Sequence, residues 1–334
     1  MSRVERTDQI LTRILPSIAK HHEKGQHRPF ILGLTGLQGS GKSTLATDIV
    51  NALNEVHSYR AVEISLDDFY LTHGERQNLR SGEGRSENAL LKVRGQPGTH
   101  DVDLAKKVLA QFSDSGKNEG NEIFLPVFDK SLFDGDGDRT PRSQWRFLNS
   151  EPLIQVVIFE GWCAGFRPLS EEEVETKWKE AKKQRAALEQ SNQEKDGPIE
   201  QKFSTTTLAD HELNDLLFVN SRLGDYCETF MGPQHFDYLV HLDTMDLANV
   251  YRWRMEQEHM LRKVKGRGMT DSQVVDFGKS SERGRKIYQT CEELIRFQCR
   301  VTCQRMSCIW VRFERGSFVE MRILVLGCRR NSFV

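Results

Sequence analysis

The chain lacks any apolar run long enough to cross a bilayer. Its longest, such as Leu153 to Phe159, fall well short of the roughly 20 residues that a membrane helix needs. It also lacks net charge, with 47 Lys and Arg against 48 Asp and Glu, so no global pull toward nucleic acid or anionic lipid is expected and any basic cluster is local. The segment "MSRVERTDQILTRILPSIAKHH" has no apolar signal core and carries Glu5 and Asp8, which argues against a leader and makes a cytoplasmic address the expectation. None of the 7 cysteines is spaced C-x-x-C, and an odd number without a signal peptide reads as reduced thiols rather than a disulfide frame.

What is present is a chain of 334 residues, enough for one large α/β core or two modest ones, with a sharply defined stretch at "ILGLTGLQGSGKSTLATDIV". Phe30 to Leu34 reads as a buried strand, and Leu45, Ile49 and Leu53 recur at helical spacing. Between them Gly36 to Ser43 spells G-x-x-x-x-G-K-S, so the order is strand, glycine loop, helix, as a phosphate loop requires. Gly36, Gly39 and Gly41 allow the backbone to turn tightly and aim N–H groups at one point beside the positive end of the helix. The expected nucleotide-binding set is Gly36, Gly39, Ser40, Gly41, Lys42, Ser43 and Thr44. Lys42 is placed to reach the β- and γ-phosphates of ATP, and the Ser43 hydroxyl to ligate Mg2+.

Further strands are expected at "YRAVEISLDDFY", at "PLIQVVIFEGW" and at "FDYLVHLDTMD", with a helix over residues 1–28 from Ile10, Ile14 and Ile18, and another starting near Asp101 or Asp103. Strands separated by helical stretches imply a parallel β-sheet with helices on both faces, an α/β architecture whose ligands sit at the strand C-terminal ends. Asp67, Asp68 and Glu160 all fall just past such ends. The run from about 170 to 200, "SEEEVETKWKEAKKQRAALEQSNQEKDGP", reads as an exposed helix and flexible loop inserted at the surface.

A phosphate loop alone leaves open a small-molecule kinase, a nucleotide-hydrolysing switch or motor, and a nucleotide-binding scaffold. The chain has no N-K-x-D signature for reading guanine, and its third strand ends in Glu160-Gly-Trp rather than Asp-Glu, so the kinase reading gains. A kinase must also hold a hydroxyl in line with the γ-phosphate, and a carboxylate at the end of the neighbouring strand is well placed to accept its proton. Asp67 fits that role, with Asp68 orienting the substrate or a magnesium water and Tyr70 walling the pocket.

The segments "GLQGSGKST", "SLDDFY", "GQPGTHDVD", "PVFDKSLFDGDGDR", "VVIFEGWCAGF" and "YRWRMEQEHMLRKVKGRGMTDSQVVDF" carry a resemblance. They resemble the uridine kinase, phosphoribulokinase and pantothenate kinase group, most of all its branch of plant-type D-glycerate 3-kinases and fungal homologues described as ATP-dependent kinases. The resemblance implies a P-loop NTPase fold with a small lid, and ATP and Mg2+ as cofactors. It also implies Asp67 as catalytic base, with Lys42 and Arg254 as its catalytic cations. Glu160 and Ser43 are then the metal-binding pair. The lid falls on Arg252, Arg254, Arg262, Lys263, Lys265 and Arg267. Asp68, Tyr70, His100, Asp129, Lys130 and Arg139 are the implied substrate residues, with Lys130 or Arg139 facing an anionic acceptor such as glycerate. The expected partner is a small-molecule hydroxyl substrate, with no nucleic acid, no membrane and a monomeric chain.

The implied organisation is an N-terminal helix over 1–28, a P-loop kinase domain over 29–277 and an atypical tail over 278–334. The tail is rich in Cys and Arg, and only "MRILVLGCRR" resembles the family's closing strand. Gly278, Lys279 and Ser280 can be encoded by GGTAAGT, which contains a common splice-donor sequence. One hypothesis is that the tail is translated intron, in which case the sheet would lose a strand, and the alternative is a divergent but real tail; an uninterrupted transcript across the Gly278 codon would sink the intron idea.

Overall fold

In the computed structural model the described residues are 3–26, 28–37, 39–81, 88–114, 122–149, 152–190, 208–244, parts of 252–263, and 307–314 and 317–325. The first helix, α1 (Arg3–Glu23), brings Ile10, Leu11, Ile14 and Ile18 onto one face at three- and four-residue spacing. All four are buried against β1 (Phe30–Gly36) and α2 (Lys42–Glu55), where Leu45, Ile49 and Leu53 complete the cluster. Burying an aliphatic side chain of this size stabilises the fold by roughly 1.5–3 kcal/mol, so α1 is an integral layer. A bidentate pair between Arg28 and Asp237, at 2.6 and 2.7 Å, then fastens the link after α1 to the residue before the fourth core strand.

The chain continues through β2 (Ala61–Ser65), α3 (His73–Ser81), α4 (Val102–Asp114), β3 (Ile123–Leu125), β4 (Phe128–Asp129), β5 (Asp138–Arg139), β6 (Arg146–Leu148) and β7 (Val156–Glu160). After these come α5 (Glu171–Gln190), α6 (Leu213–Tyr226), β8 (Tyr238–Thr244), β9 (Ser307–Glu314) and β10 (Ser317–Val325). Six strands form one sheet in the order β10-β9-β8-β1-β7-β2, parallel throughout except for the antiparallel edge strand β10. β7 is buried along its whole length, as its continuous apolar run requires of a central strand. The helices α1 and α2 cover one face of the sheet, while α4, α5 and α6 pack into the cluster on the other. Among the described residues no helix is long and apolar enough to cross a membrane.

Two expectations need correction. The charged run forms α5, but α5 is not simply a solvated insert: Val174 and Ala181 are buried, and Trp178 packs on the same core while its Nε1 donates to the His211 carbonyl at 2.9 Å. A narrow apolar stripe at i, i+4 and i+7 suffices to dock a helix whose other positions are charged. The tail also does not cost the sheet a strand, since "SCIWVRFE" and "SFVEMRILV" supply β9 and β10. Both stretches are rich in β-branched, aromatic and other apolar residues, which suit an extended, paired backbone.

Candidate active site

The loop after β1 turns as its glycines dictate. Gly41 has φ +85, a left-handed conformation that residues bearing a Cβ rarely adopt, and a Cβ on Gly36 would lie 2.6 Å from the Leu242 carbonyl oxygen. Gly41 forms the N-cap of α2, and no side chain caps that helix end, so its first-turn N–H groups face the loop. Ser40 is buried, and its hydroxyl has no hydrogen-bond partner. A buried hydroxyl without a partner, set beside an uncapped 14-residue helix, matches what a phosphate group supplies: an anionic acceptor for several donors. Lys42 Nζ donates to the Leu37 carbonyl at 2.9 Å, folded along the loop it belongs to.

Sheet register then assembles the second part. Glu160, the last residue of β7, pairs with Leu34 of β1 on one side and Ser65 of β2 on the other. Its Oε1 accepts from Ser65 Oγ at 2.5 Å and lies 3.3 Å from Ser43 Oγ, the first turn of α2. Burial raises the Glu160 carboxyl, and the Lys42 charge and Ser65 hydroxyl oppose that. A hydroxyl and a carboxylate with this spacing fit magnesium, which keeps most of its shell as water and nucleotide oxygens and needs only one or two protein ligands. Among the described residues there is no cluster of three or more His, Cys, Asp or Glu that could hold a metal ion.

Asp67 and Asp68 lie in the short helical turn Leu66–Phe69 that ends β2, where Ser65 Oγ accepts the Asp67 N–H at 3.2 Å. Neither aspartate is the N-cap; Ser65 is, which releases both carboxylates. Asp67 Oδ2 accepts from Lys130 Nζ at 2.6 Å and Oδ1 from the Tyr70 hydroxyl at 3.0 Å. Burial alone would raise this carboxyl, but the charge and hydrogen bond of Lys130, with help from His100 and Tyr70, hold it below its ordinary value. Asp68 behaves oppositely: burial lifts it to about 6, with the Phe128 N–H at 3.3 Å opposing. The two adjacent carboxylates are therefore shifted in opposite directions, Asp67 down by its cation and Asp68 up by burial.

A cleft of about 250 Å³ joins these parts, lined by Ser43, Glu63, Ser65, Asp67, Asp68, Phe128, Lys130, Arg146 and Glu160. Its mouth carries Lys130 and Arg146, the latter donating to the Glu63 carbonyl. Tyr70 and His100 stack behind Asp67 with ring centroids 4.3 Å apart. Two expected substrate residues are otherwise engaged. Arg139 is bound to Asp101 at 3.0 Å and to the Tyr70 carbonyl at 2.8 Å, and Asp129 accepts from both N and Oγ of Ser131 within its own turn. Neither lines the cleft, and Tyr70 and His100 stand behind its lining rather than in it, so of the expected substrate residues Asp68 and Lys130 line it. Arg254, Lys265 and Arg267 of the expected lid lie outside the described residues. Glu63, Ser65 and Arg146 were not anticipated; the signal for the first two was the alternation of Glu63, Ser65 and Asp67 along and just past one face of β2.

No protein-family model matches the chain. The "uncharacterized kinase mug58" of Schizosaccharomyces pombe is 38% identical to it over 268 residues, which are 80% of this chain and 83% of that protein. The "probable ATP-dependent kinase TDA10" of Saccharomyces cerevisiae is 32% identical over 286 residues, 84% of either chain. Among solved structures, D-glycerate 3-kinase from Cryptococcus neoformans superposes with a TM-score of 0.76 at 29% identity, covering 96% of this chain and 99% of that one.

Proposed function

The chain belongs to the P-loop kinases of the uridine kinase, phosphoribulokinase and pantothenate kinase group, an ATP-dependent phosphotransferase family, and from that premise we propose that it phosphorylates a hydroxyl of a small anionic metabolite, D-glycerate. The observation that carries the proposal is the single cleft in which Ser43 and Glu160, on the phosphate side, meet Asp67 and Lys130, on the acceptor side. A scaffold that only bound nucleotide would have no use for a second, ionised carboxylate within reach of the transferring group.

Each residue then has a task. Lys42 and the N–H groups of the loop hold and neutralise the phosphate chain of ATP. Ser43 and Glu160 would hold magnesium, which when bound spreads the charge of the β- and γ-phosphates. Asp67, kept ionised by Lys130, accepts the proton of the attacking hydroxyl. Lys130 has a half-exposed side chain and Arg146 shares its end of the cleft, so an entering carboxylate meets two cations. That preference for an anion, together with the likeness to a D-glycerate 3-kinase, favours glycerate over a neutral nucleoside.

The test is acceptor-dependent ADP release with D-glycerate, uridine and pantothenate offered separately. Release with D-glycerate supports the proposal, whereas release with uridine or pantothenate alone replaces the acceptor. Nucleotide binding with no acceptor-dependent release would instead mark a regulatory protein without turnover.

A further inference from the structure

His100 is 4% exposed and packs flat against Tyr70, whose hydroxyl is bonded to Asp67. Its Nδ1 lies 3.0 Å from the hydroxyl of Tyr226, the last residue of α6, while its buried Nε2 has no hydrogen-bond partner. The Tyr226 oxygen already accepts two backbone N–H groups, from Gly98 at 2.7 Å and from His100 itself at 3.1 Å. Those two donors use the oxygen's accepting capacity, so the contact with Nδ1 is made by the phenolic hydrogen. Burial pushes the Tyr226 phenol up, so that hydrogen stays in place, and burial pushes the His100 imidazole down to about 4, so the ring is neutral. The Asp67 charge and the Gln96 carbonyl favour the charged ring, but burial outweighs them; that carbonyl also accepts from Thr99 N at 3.0 Å and Thr99 Oγ1 at 2.7 Å. A neutral imidazole that accepts at Nδ1 carries its hydrogen on Nε2.

We propose that Tyr226 is a positioning residue for the acceptor: it fixes His100 as the Nε2–H tautomer, and that buried N–H donates to an acceptor oxygen held beside Asp67. The tautomer follows from the hydrogen bonds at the Tyr226 oxygen together with the neutral ring, and the acceptor contact rests on the kinase reading. Tyr226 lies 126 positions from His100 in sequence, and its ring meets the imidazole edge-on at 5.5 Å, so the hydroxyl rather than the ring face sets the tautomer.

The two parts are tested separately. In protein labelled with 15N-histidine and free of nucleotide, NMR should report His100 with hydrogen on Nε2, and Tyr226→Phe should shift it toward the Nδ1–H form. A wild-type Nδ1–H signal, or no change in the variant, would overturn the lock. Tyr226→Phe also strips two backbone N–H groups of their partner, so the kinetic arm uses His100 instead. His100→Asn retains an amide near Nδ1 and should raise the acceptor KM about 10-fold or more, the scale of one lost buried hydrogen bond, with the KM for ATP unchanged. His100→Gln places its amide near Nε2 and should recover most of the affinity. The reverse ranking would mean that only the Tyr226 contact matters and would overturn the acceptor role. The acceptor used is whichever of D-glycerate, uridine and pantothenate the wild type phosphorylates. Turnover of none would overturn the acceptor contact along with the kinase reading, and the NMR result would still decide the lock.

Discussion

Asp136 ties together the loop that leads from Lys130 to Arg139, and replacing it with Asn isolates the worth of its charge. Its carboxylate meets Arg80 at 2.6 Å, His73 at 2.9 Å and the fully buried Arg76 at 3.2 Å. Burial alone would raise this carboxyl, but the Arg80 hydrogen bond and the charges of Arg76 and Arg80 outweigh it and hold it at about 2, against an ordinary 3.8. At 1.36 kcal/mol per pH unit the difference corresponds to roughly 2 kcal/mol. Solvent screening of a partly exposed group trims this to about 1–2 kcal/mol. Because the folded value is depressed, the contribution is fully present above about pH 5 and is lost as pH falls toward 2, with roughly half remaining at pH 3. Asp136→Asn should therefore lower stability by about 1–2 kcal/mol at pH 7, read as a shift in urea midpoint at unchanged slope. It should still fold, since Arg76 keeps the Leu71, Asp136 and Gly137 carbonyls. The gap to wild type should narrow by pH 3. A midpoint unchanged at pH 7, or a gap constant between pH 7 and pH 3, would refute the electrostatic account.

Three further outcomes are expected. Asp67→Asn keeps the shape and removes the base, so acceptor-dependent turnover should fall roughly 10²- to 10⁴-fold while ATP affinity holds and melting temperature changes little, because Lys130 is half exposed and water can solvate it once the pair is lost; parental turnover would remove Asp67 from the mechanism. Asp68 is held at about 6 by burial, so what it contributes as a protonated acid is present below about pH 4 and lost as pH rises through 6. Asp68→Asn should accordingly raise stability by about 1–2 kcal/mol at pH 8 and leave it unchanged at pH 4, and equal melting shifts at the two pH values would contradict this. Trp178→Ala should cost about 2–3 kcal/mol in a denaturant titration because α5 belongs to the core, whereas a solvated insert would lose nothing measurable.

The phosphate side of the site was legible in the sequence, and the acceptor side was only partly so, for a physical reason. Phosphate is recognised by backbone, and a backbone that must turn through φ +85 at Gly41 and pass 2.6 Å from the Leu242 carbonyl at Gly36 leaves its glycines in one contiguous stretch. The ends of β2 and β7 were legible too, because buried parallel strands are apolar until they stop, and Asp67 and Glu160 mark where they stop. The proposed acceptor side uses side chains instead, from residues 67–70, 100, 130, 146 and 226, and only tertiary packing decides which of them meet. Thus Arg139 and Asp129 carried suitable chemistry but were taken by Asp101 and Ser131, while Tyr226 looked like one more core aromatic on an amphipathic helix. The same reasoning explains α5, whose three inward positions among twenty were outvoted by its charges. On the proposed reading, family members can share a phosphate loop and still diverge in acceptor, since a change at one buried hydroxyl or imidazole leaves the nucleotide signature untouched. An acceptor assay on the His100 and Asp67 variants reads that divergence directly, at the part of the molecule where it is built.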